Sequence, residues 1–227
     1  MDSPALILPQ WPSLHRLIPS HFPPIDLFET VANPEELALV FAIEALTNDR
    51  LKEQVGDLYR VPAHERVSGP DSTPVMAAFT HIAFSSRFTD GSYGIYYGAN
   101  SQQTAVAETV FHREFFLSQT NEPDTQLTMR EYINQVALPL HDIRADHYQH
   151  LHQPDSYHQP QAFAQQLRAQ GSNGLLYPSV RRTGGECIAA FKPKAVTLPV
   201  QGQHFRYIWC ARQQKVTSVL LQLEVDF

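Results

Sequence analysis

Six prolines fall within the first 33 residues, at Pro4, Pro9, Pro12, Pro19, Pro23 and Pro24. Each fixes φ and removes a backbone donor, so this segment is expected to be an extended arm with at most short turns. Leu6, Ile7, Leu8, Trp11, Leu14, Leu17, Ile18 and Phe22 make it too apolar for a free tail. It is expected to lie across the body of the protein or across a partner subunit.

Beyond the arm the helical windows are few. Asn33-Pro34-Glu35-Glu36 combines an N-cap candidate, a proline at the first helical position and carboxylates in the first turn. Leu37, Val40, Phe41 and Ala45 follow at helical spacing, which predicts a helix over about 34–54 stopped at Gly56. Ser101 opens the most convincing helix, in which Ala105, Glu108 and His112 share one stripe. A shorter helix is expected over 160–170, closed by Gly171.

Most other segments read as strands: 57–61 ending at Pro62, Ile95-Tyr96-Tyr97 ending at Gly98, 128–143 bent at Pro139, 174–179, 186–191, 204–211 and 215–225. Residues 75–84 fit either a strand or a short helix followed by a strand. Strands that do not alternate regularly with helices predict an α+β fold on a mainly antiparallel or mixed sheet. Residues 1–55 are expected to form an N-terminal extension and residues 56–227 the body.

A formal net charge of -6 gives the chain no overall electrostatic footprint for nucleic acid. An acidic protein holds an anion only through a local cluster of arginines and backbone donors, which makes arginine positions informative. Cys187 and Cys210 form no Cys-x-x-Cys pair, so a metal knuckle is unsupported and a reduced pair is the simplest reading. The first residues lack the basic start and unbroken apolar run of a signal peptide, and no apolar stretch reaches the length of a membrane span. A cytoplasmic protein that binds neither membrane nor nucleic acid directly is expected.

His147, His150, His152 and His158 crowd one segment, with Asp146 and Asp155. Without a His-Glu-x-x-His helix, a solvated loop is the better reading, and no metal site is expected. Ser179 follows a strand but lacks the flanking glycines of a nucleophile elbow. Gly184-Gly185 reads as a hairpin turn rather than a phosphate cradle.

Glu108 stands apart because of its company. It lies among Ala105, Val106, Ala107, Val110 and Phe111 early in its helix, where half-burial is expected. Arg60, Arg87, Tyr97 and Ser179 each stand at the end of an apolar element or beside a glycine-rich loop. Polar side chains at the ends of rigid elements are a common way to build a site. Two guanidiniums with one carboxylate suit an anionic substrate whose reaction develops positive charge.

These residues also carry a resemblance. Leu58-Tyr59-Arg60, Ser86-Arg87-Phe88, Gly94-Ile95-Tyr96-Tyr97, Thr104-Ala105-Val106-Ala107-Glu108-Thr109 and Gly174-Leu175-Leu176-Tyr177-Pro178-Ser179, taken in that order, resemble the RES family, named for its Arg, Glu and Ser. The chain departs from that family at Arg87-Phe88-Thr89, where members often have Arg-Trp-Asn, and in its long N-terminal segment. The resemblance implies a fold similar to that of ADP-ribosyltransferase toxins. It also implies an enzyme that degrades NAD by hydrolysis or phosphorolysis, NAD being substrate rather than cofactor. The implied partner is an Xre-type helix-turn-helix antitoxin, within a homodimer or a larger complex. By the same resemblance Arg60 and Arg87 would hold the pyrophosphate or adjacent ribose, and Tyr97, helped by Tyr59, would line the nicotinamide slot. Glu108 would stabilise the oxocarbenium-like transition state, and Ser179 would orient Glu108 or the nicotinamide amide. A mono-ADP-ribosyltransferase acting on a protein and a non-catalytic NAD or ADP-ribose-binding module are the alternatives.

Overall fold

Most of the strand-like runs of the sequence pair in the structure into one sheet. The structure is a computed structural model that describes residues 3–20, 57–82 and 84–222. Its strands are β1 (Leu6–Ile7), β2 (Leu14–Pro19), β3 (Tyr96–Ala99), β4 (Thr125–Asn134), β5 (Leu140–Asp142), β6 (Gly174–Pro178), β7 (Glu186–Ala190), β8 (Val200–Cys210) and β9 (Lys215–Gln222). They lie in the order β1-β5-β6-β7-β3-β2-β4-β8-β9, and only β5 and β6 run parallel. With helices α1 (Thr73–Thr80), α2 (Gln102–Ser118) and α3 (His158–Ala169), this is an α+β fold on a mixed sheet.

Each face of the sheet has its own core. Leu17, Ala99, Met129, Leu175 and Phe205 pack with residues of α2 and α3 on one side. Leu14, Tyr96, Leu176 and Ile188 pack with Val75, Met76 and Phe79 of α1 on the other. Leu175 and Leu176 fall into opposite cores because successive strand side chains alternate faces.

The N-terminal arm lies within the body rather than across it. β2 sits between β3 and β4 and pairs with β4 along its whole length, from Leu14 opposite Asn134 to Pro19 opposite Met129. The arm is fastened further by Trp11, whose Nε1 donates to Glu186 Oε2 at 3.1 Å. Against β3, however, β2 pairs only through His15 and Ala99. The two strands part from that point, and a crevice opens between them. The helix expected over 34–54 and the boundary at 55/56 lie outside the described residues.

Several expected elements change form. Residues 57–61 are not a strand: Leu58–Arg60 is a 3₁₀ turn, with Leu58 buried and Tyr59 and Arg60 exposed. The buried guanidinium of Arg66 takes the carbonyls of Val61 and Leu58, at 2.9 and 3.4 Å, which a sheet ladder would otherwise use. Residues 75–84, open between strand and helix, contribute to α1. The single strand expected over 128–143 is two strands, and β5 lies far from β4, on the opposite side of the sheet. The histidine-rich loop contains a 3₁₀ segment, Asp146–His152. Finally, β3 runs through Gly98 instead of ending there, because Gly98 and Ala99 pair with Ile188 and Cys187 of β7; a Cβ at Gly98 would stand 2.8 Å from the Leu14 side chain.

Candidate active site

α2 starts where the sequence places it. The Ser101 hydroxyl accepts from the Thr104 N–H at 3.3 Å, satisfying one of the first-turn donors. From this start, Ala105, Glu108, Thr109 and His112 recur at helical spacing along one wall of a cavity of about 870 Å³. The facing wall is the crevice between β2 and β3, where Arg16, Leu17 and Ile18 oppose Ile95, Tyr97 and Gly98. The volume suits a ligand of dinucleotide size.

Ser179 follows β6 and fixes the orientation of Glu108. The Ser179 Oγ accepts from the Arg181 and Arg182 backbone N–H groups at 3.2 and 3.0 Å. With its lone pairs so engaged, the hydroxyl proton is directed outward, and it donates to Glu108 Oε1 at 2.6 Å. A short bond to a charged acceptor is among the stronger hydrogen bonds a protein makes. The Cys187 thiol approaches the same oxygen at 3.9 Å. Burial pushes the thiol of Cys187 and the phenol of Tyr177 well up, and the nearby Glu108 carboxylate adds to both shifts. Both groups therefore stay neutral beside the carboxylate.

The cavity is otherwise cationic. Among the described lining residues, Arg16, Arg87, Arg113 and Arg181 face two carboxylates, Asp71 and Glu108. His112 registers this field: burial, then the charges of Arg181, Arg113 and Arg87, lower its pKa to about 4. Its imidazole is thus neutral at pH 7 and offers no acid to the site. An excess of guanidinium over carboxylate in a recess favours an anionic ligand.

The structure divides the residues expected to converge. Arg87, Tyr97 and Glu108 line the cavity, and Ser179 stands behind Glu108. Arg87 is buried with its guanidinium turned partly away. It donates to the Gln153 carbonyl at 2.9 Å, reaches the Leu151 and Pro154 carbonyls at 3.5 Å and lies 5.0 Å from the Tyr157 ring centre. Tyr97 presents its ring to the cavity while its hydroxyl accepts from the Phe88 N–H at 3.2 Å and meets the Ser86 hydroxyl at 2.7 Å.

Arg60 and Tyr59 do not join them. Arg60 borders a separate cavity of about 360 Å³, paired with Asp57 at 2.9 Å and donating to the Ser92 carbonyl at 3.1 Å. Tyr59 is 77 % exposed. The reason is local, because the 3₁₀ turn that replaces the expected strand points both side chains outward.

Three cavity arginines, Arg16, Arg113 and Arg181, escaped the sequence reading. Arg181 stacks 3.2 Å over the Phe111 ring centre and donates to the Pro154 carbonyl at 2.9 Å; its only signal was its place two residues after Ser179. Arg16 lies in the proline-rich arm, a lone cation between Leu14 and Ile18. No group of three His, Cys, Asp or Glu side chains placed to hold a metal occurs among the described residues. No described helix is long and apolar enough to cross a membrane.

The sequence profile of the RES domain matches residues 57–210, about two thirds of the chain. The chain belongs to the RES domain family. It is similar to the uncharacterized protein y4oC of Sinorhizobium fredii (strain NBRC 101917 / NGR234), 29% identical over 202 residues, which cover 86% of this chain and 82% of that protein. Among solved structures it is similar to the crystal structure of the M. tuberculosis MbcT–MbcA toxin–antitoxin complex, with 13% identity and a TM-score of 0.41 over 60% of this chain and 78% of that one. The RES match begins at residue 57, so β2 and its Arg16 precede it and yet form one lip of the cavity.

Proposed function

We propose that this RES domain protein cleaves the bond between nicotinamide and ribose in NAD, passing the ADP-ribosyl group to water or phosphate. The observation that carries the reading is the Ser179–Glu108 contact, which holds one carboxylate in fixed orientation in the wall of an arginine-rich cavity. Guanidinium groups would offset the pyrophosphate charge, while Glu108 faces the ribose.

When the C1′–N bond breaks, its electron pair moves to the pyridinium nitrogen. Nicotinamide leaves as a neutral molecule, and positive charge spreads over C1′ and the ring oxygen. A preoriented carboxylate in a recess stabilises such a charge as it forms, as in glycosidases. No proton must be delivered to the leaving group, which fits an α2 wall where His112, beside Glu108, is held neutral. The acceptor then attacks C1′ and loses its proton. In a cell this activity would deplete NAD and arrest growth, which suits a toxin restrained by an antitoxin covering the cavity.

The test is nicotinamide release from NAD by purified protein, with and without phosphate, for wild type and Glu108→Gln. Glu108→Gln is expected to lose about 10²–10³-fold in turnover. Equal turnover by the two proteins would remove Glu108 from the mechanism. Nicotinamide release that occurs only when an acceptor protein is added, with matching transfer of ADP-ribose label to it, would replace hydrolysis by ADP-ribosylation of a protein.

A further inference from the structure

Among the described cavity arginines, Arg16 is set apart by a buried polar atom without a partner. Its Nε is buried and has no hydrogen-bond partner. Its Nη1 donates to the Tyr97 carbonyl at 3.0 Å, across the crevice, and its Cζ lies 4.5 Å from the Tyr96 ring centre. Among the described residues no carboxylate pairs with it within 4.0 Å. Burial depresses its pKa, which is the mark of a charge taken from water without a full replacement.

An uncompensated buried cation is costly to the folded state. A cation of this kind at a cavity wall has an evident counterpart, an anion supplied by the ligand. The location is decided by the sheet. Because β2 pairs β3 only at His15 and Ala99, Arg16 is the first β2 residue past the junction and looks into the opening. The residue expected to share this task, Arg60, borders the other cavity, and Arg87 spends its donors on the Gln153 carbonyl and its neighbours.

We propose that Arg16, from the strand preceding the RES-matched region, holds the pyrophosphate of the dinucleotide in the crevice between β2 and β3. The inference rests on the NAD reading of the Glu108 cavity and names the side chain that anchors the phosphate-bearing half of that substrate. Arg16 acts by binding and takes no part in bond breaking. A purely structural arginine, serving only to tie β2 to β3 through Tyr96 and Tyr97, would affect phosphate-bearing and phosphate-free ligands alike.

The experiment compares wild type, Arg16→Met and Arg16→Lys by calorimetry with ADP-ribose and with nicotinamide riboside, and by steady-state NAD cleavage. Loss of a charge-assisted bond is worth about 10- to 100-fold in affinity. Arg16→Met is therefore expected to weaken ADP-ribose at least about tenfold and to raise KM for NAD similarly, with kcat within about threefold and nicotinamide riboside binding unchanged. Arg16→Lys, which keeps the charge but not the fork, is expected to recover part of the loss even if Arg16→Met folds poorly. Unchanged ADP-ribose affinity in both variants, equal losses for the two ligands, or a wild type that does not bind ADP-ribose would each overturn the proposal. Arg16-dependent ADP-ribose binding without NAD turnover would uphold it and refute the cleavage reading. NAD turnover with a KM indifferent to Arg16 would do the reverse.

Discussion

Glu108 and Glu131 both sit in the interior of this protein, and they are used in opposite ways. The Glu131 side chain has no exposed surface and both of its oxygens are supplied with donors. His15 Nδ1 lies 2.7 Å from Oε1, the Gln102 amide reaches both oxygens at 3.2 and 3.0 Å, and the Gln203 N–H donates to Oε2 at 3.2 Å. Burial alone would raise its carboxyl, but the bonds from His15, Gln203 and Gln102 outweigh it and hold the pKa below the ordinary value. Glu108 has one hydroxyl donor and a distant thiol, and it faces a cavity. A carboxylate whose acceptor capacity is filled is part of the fold, whereas one with spare capacity beside a recess is free to meet a ligand.

The contrast is broken or sharpened by substitution. The largest effect expected is on folding. Glu131→Ala would orphan groups on β2, α2 and β8 at once and destabilise the protein by about 3–5 kcal/mol, read as a lowered urea midpoint, while the folded fraction keeps its specific activity. Loss of activity with unchanged stability would erase the distinction between the two carboxylates. The same residue sets a pH dependence. Its folded pKa is depressed below 4.5, so its contribution is complete above that pH and disappears as the pH falls through the folded value. Urea midpoints measured from pH 6 down to pH 3 should fall less steeply for Glu131→Ala than for wild type.

Glu108→Gln should behave in the converse way, with turnover reduced as stated above and a melting temperature equal to or above that of wild type. A half-buried charge met by one hydroxyl and a distant thiol is poorly compensated, so neutralising it costs the fold little. Ser179→Ala removes only the orienting bond. It is expected to reduce kcat about tenfold with little change in KM, near 1.4 kcal/mol, and a rise in KM alone would assign Ser179 to substrate binding instead. Arg60→Ala closes the series. With its guanidinium in the neighbouring cavity, it should change kcat/KM for NAD by less than about threefold, and a loss as great as that of Arg16→Met would return Arg60 to the binding role the resemblance implied.

Position Gly94 tests the scaffold rather than the site. A Cβ there would fall 2.2 Å from the Ala78 carbonyl oxygen, where the chain entering β3 meets α1. Gly94→Ala is expected to destabilise by about 1–3 kcal/mol, seen in thermal melting, because backbone stands on both sides of the contact.

What was legible in the sequence was local. The Ser101 cap and the stripe of Ala105, Glu108 and His112 needed only helical periodicity, and they place the carboxylate correctly on α2. The runs that became β6 to β9 were likewise visible in composition, and their excess over helices indicated the α+β class. The 57–61 segment misled because apolar content without a sheet neighbour does not make a strand, and with the strand went the expected directions of Tyr59 and Arg60.

The remainder depended on pairings between distant parts of the chain. β2 joins a sheet whose other strands begin near residue 96, apart from short β1, and nothing within the proline-rich arm announces β3 and β4 as its neighbours. Whether Arg16 meets solvent or a cavity is settled by the register of β2 and by its parting from β3 after one residue pair. Whether Glu131 is buried and satisfied is settled by His15, Gln102 and Gln203, three residues from three other elements. Local periodicity determined where helices begin and which side chains share a face. Sheet order and register, which no short window contains, decided which of those faces look into the same cavity.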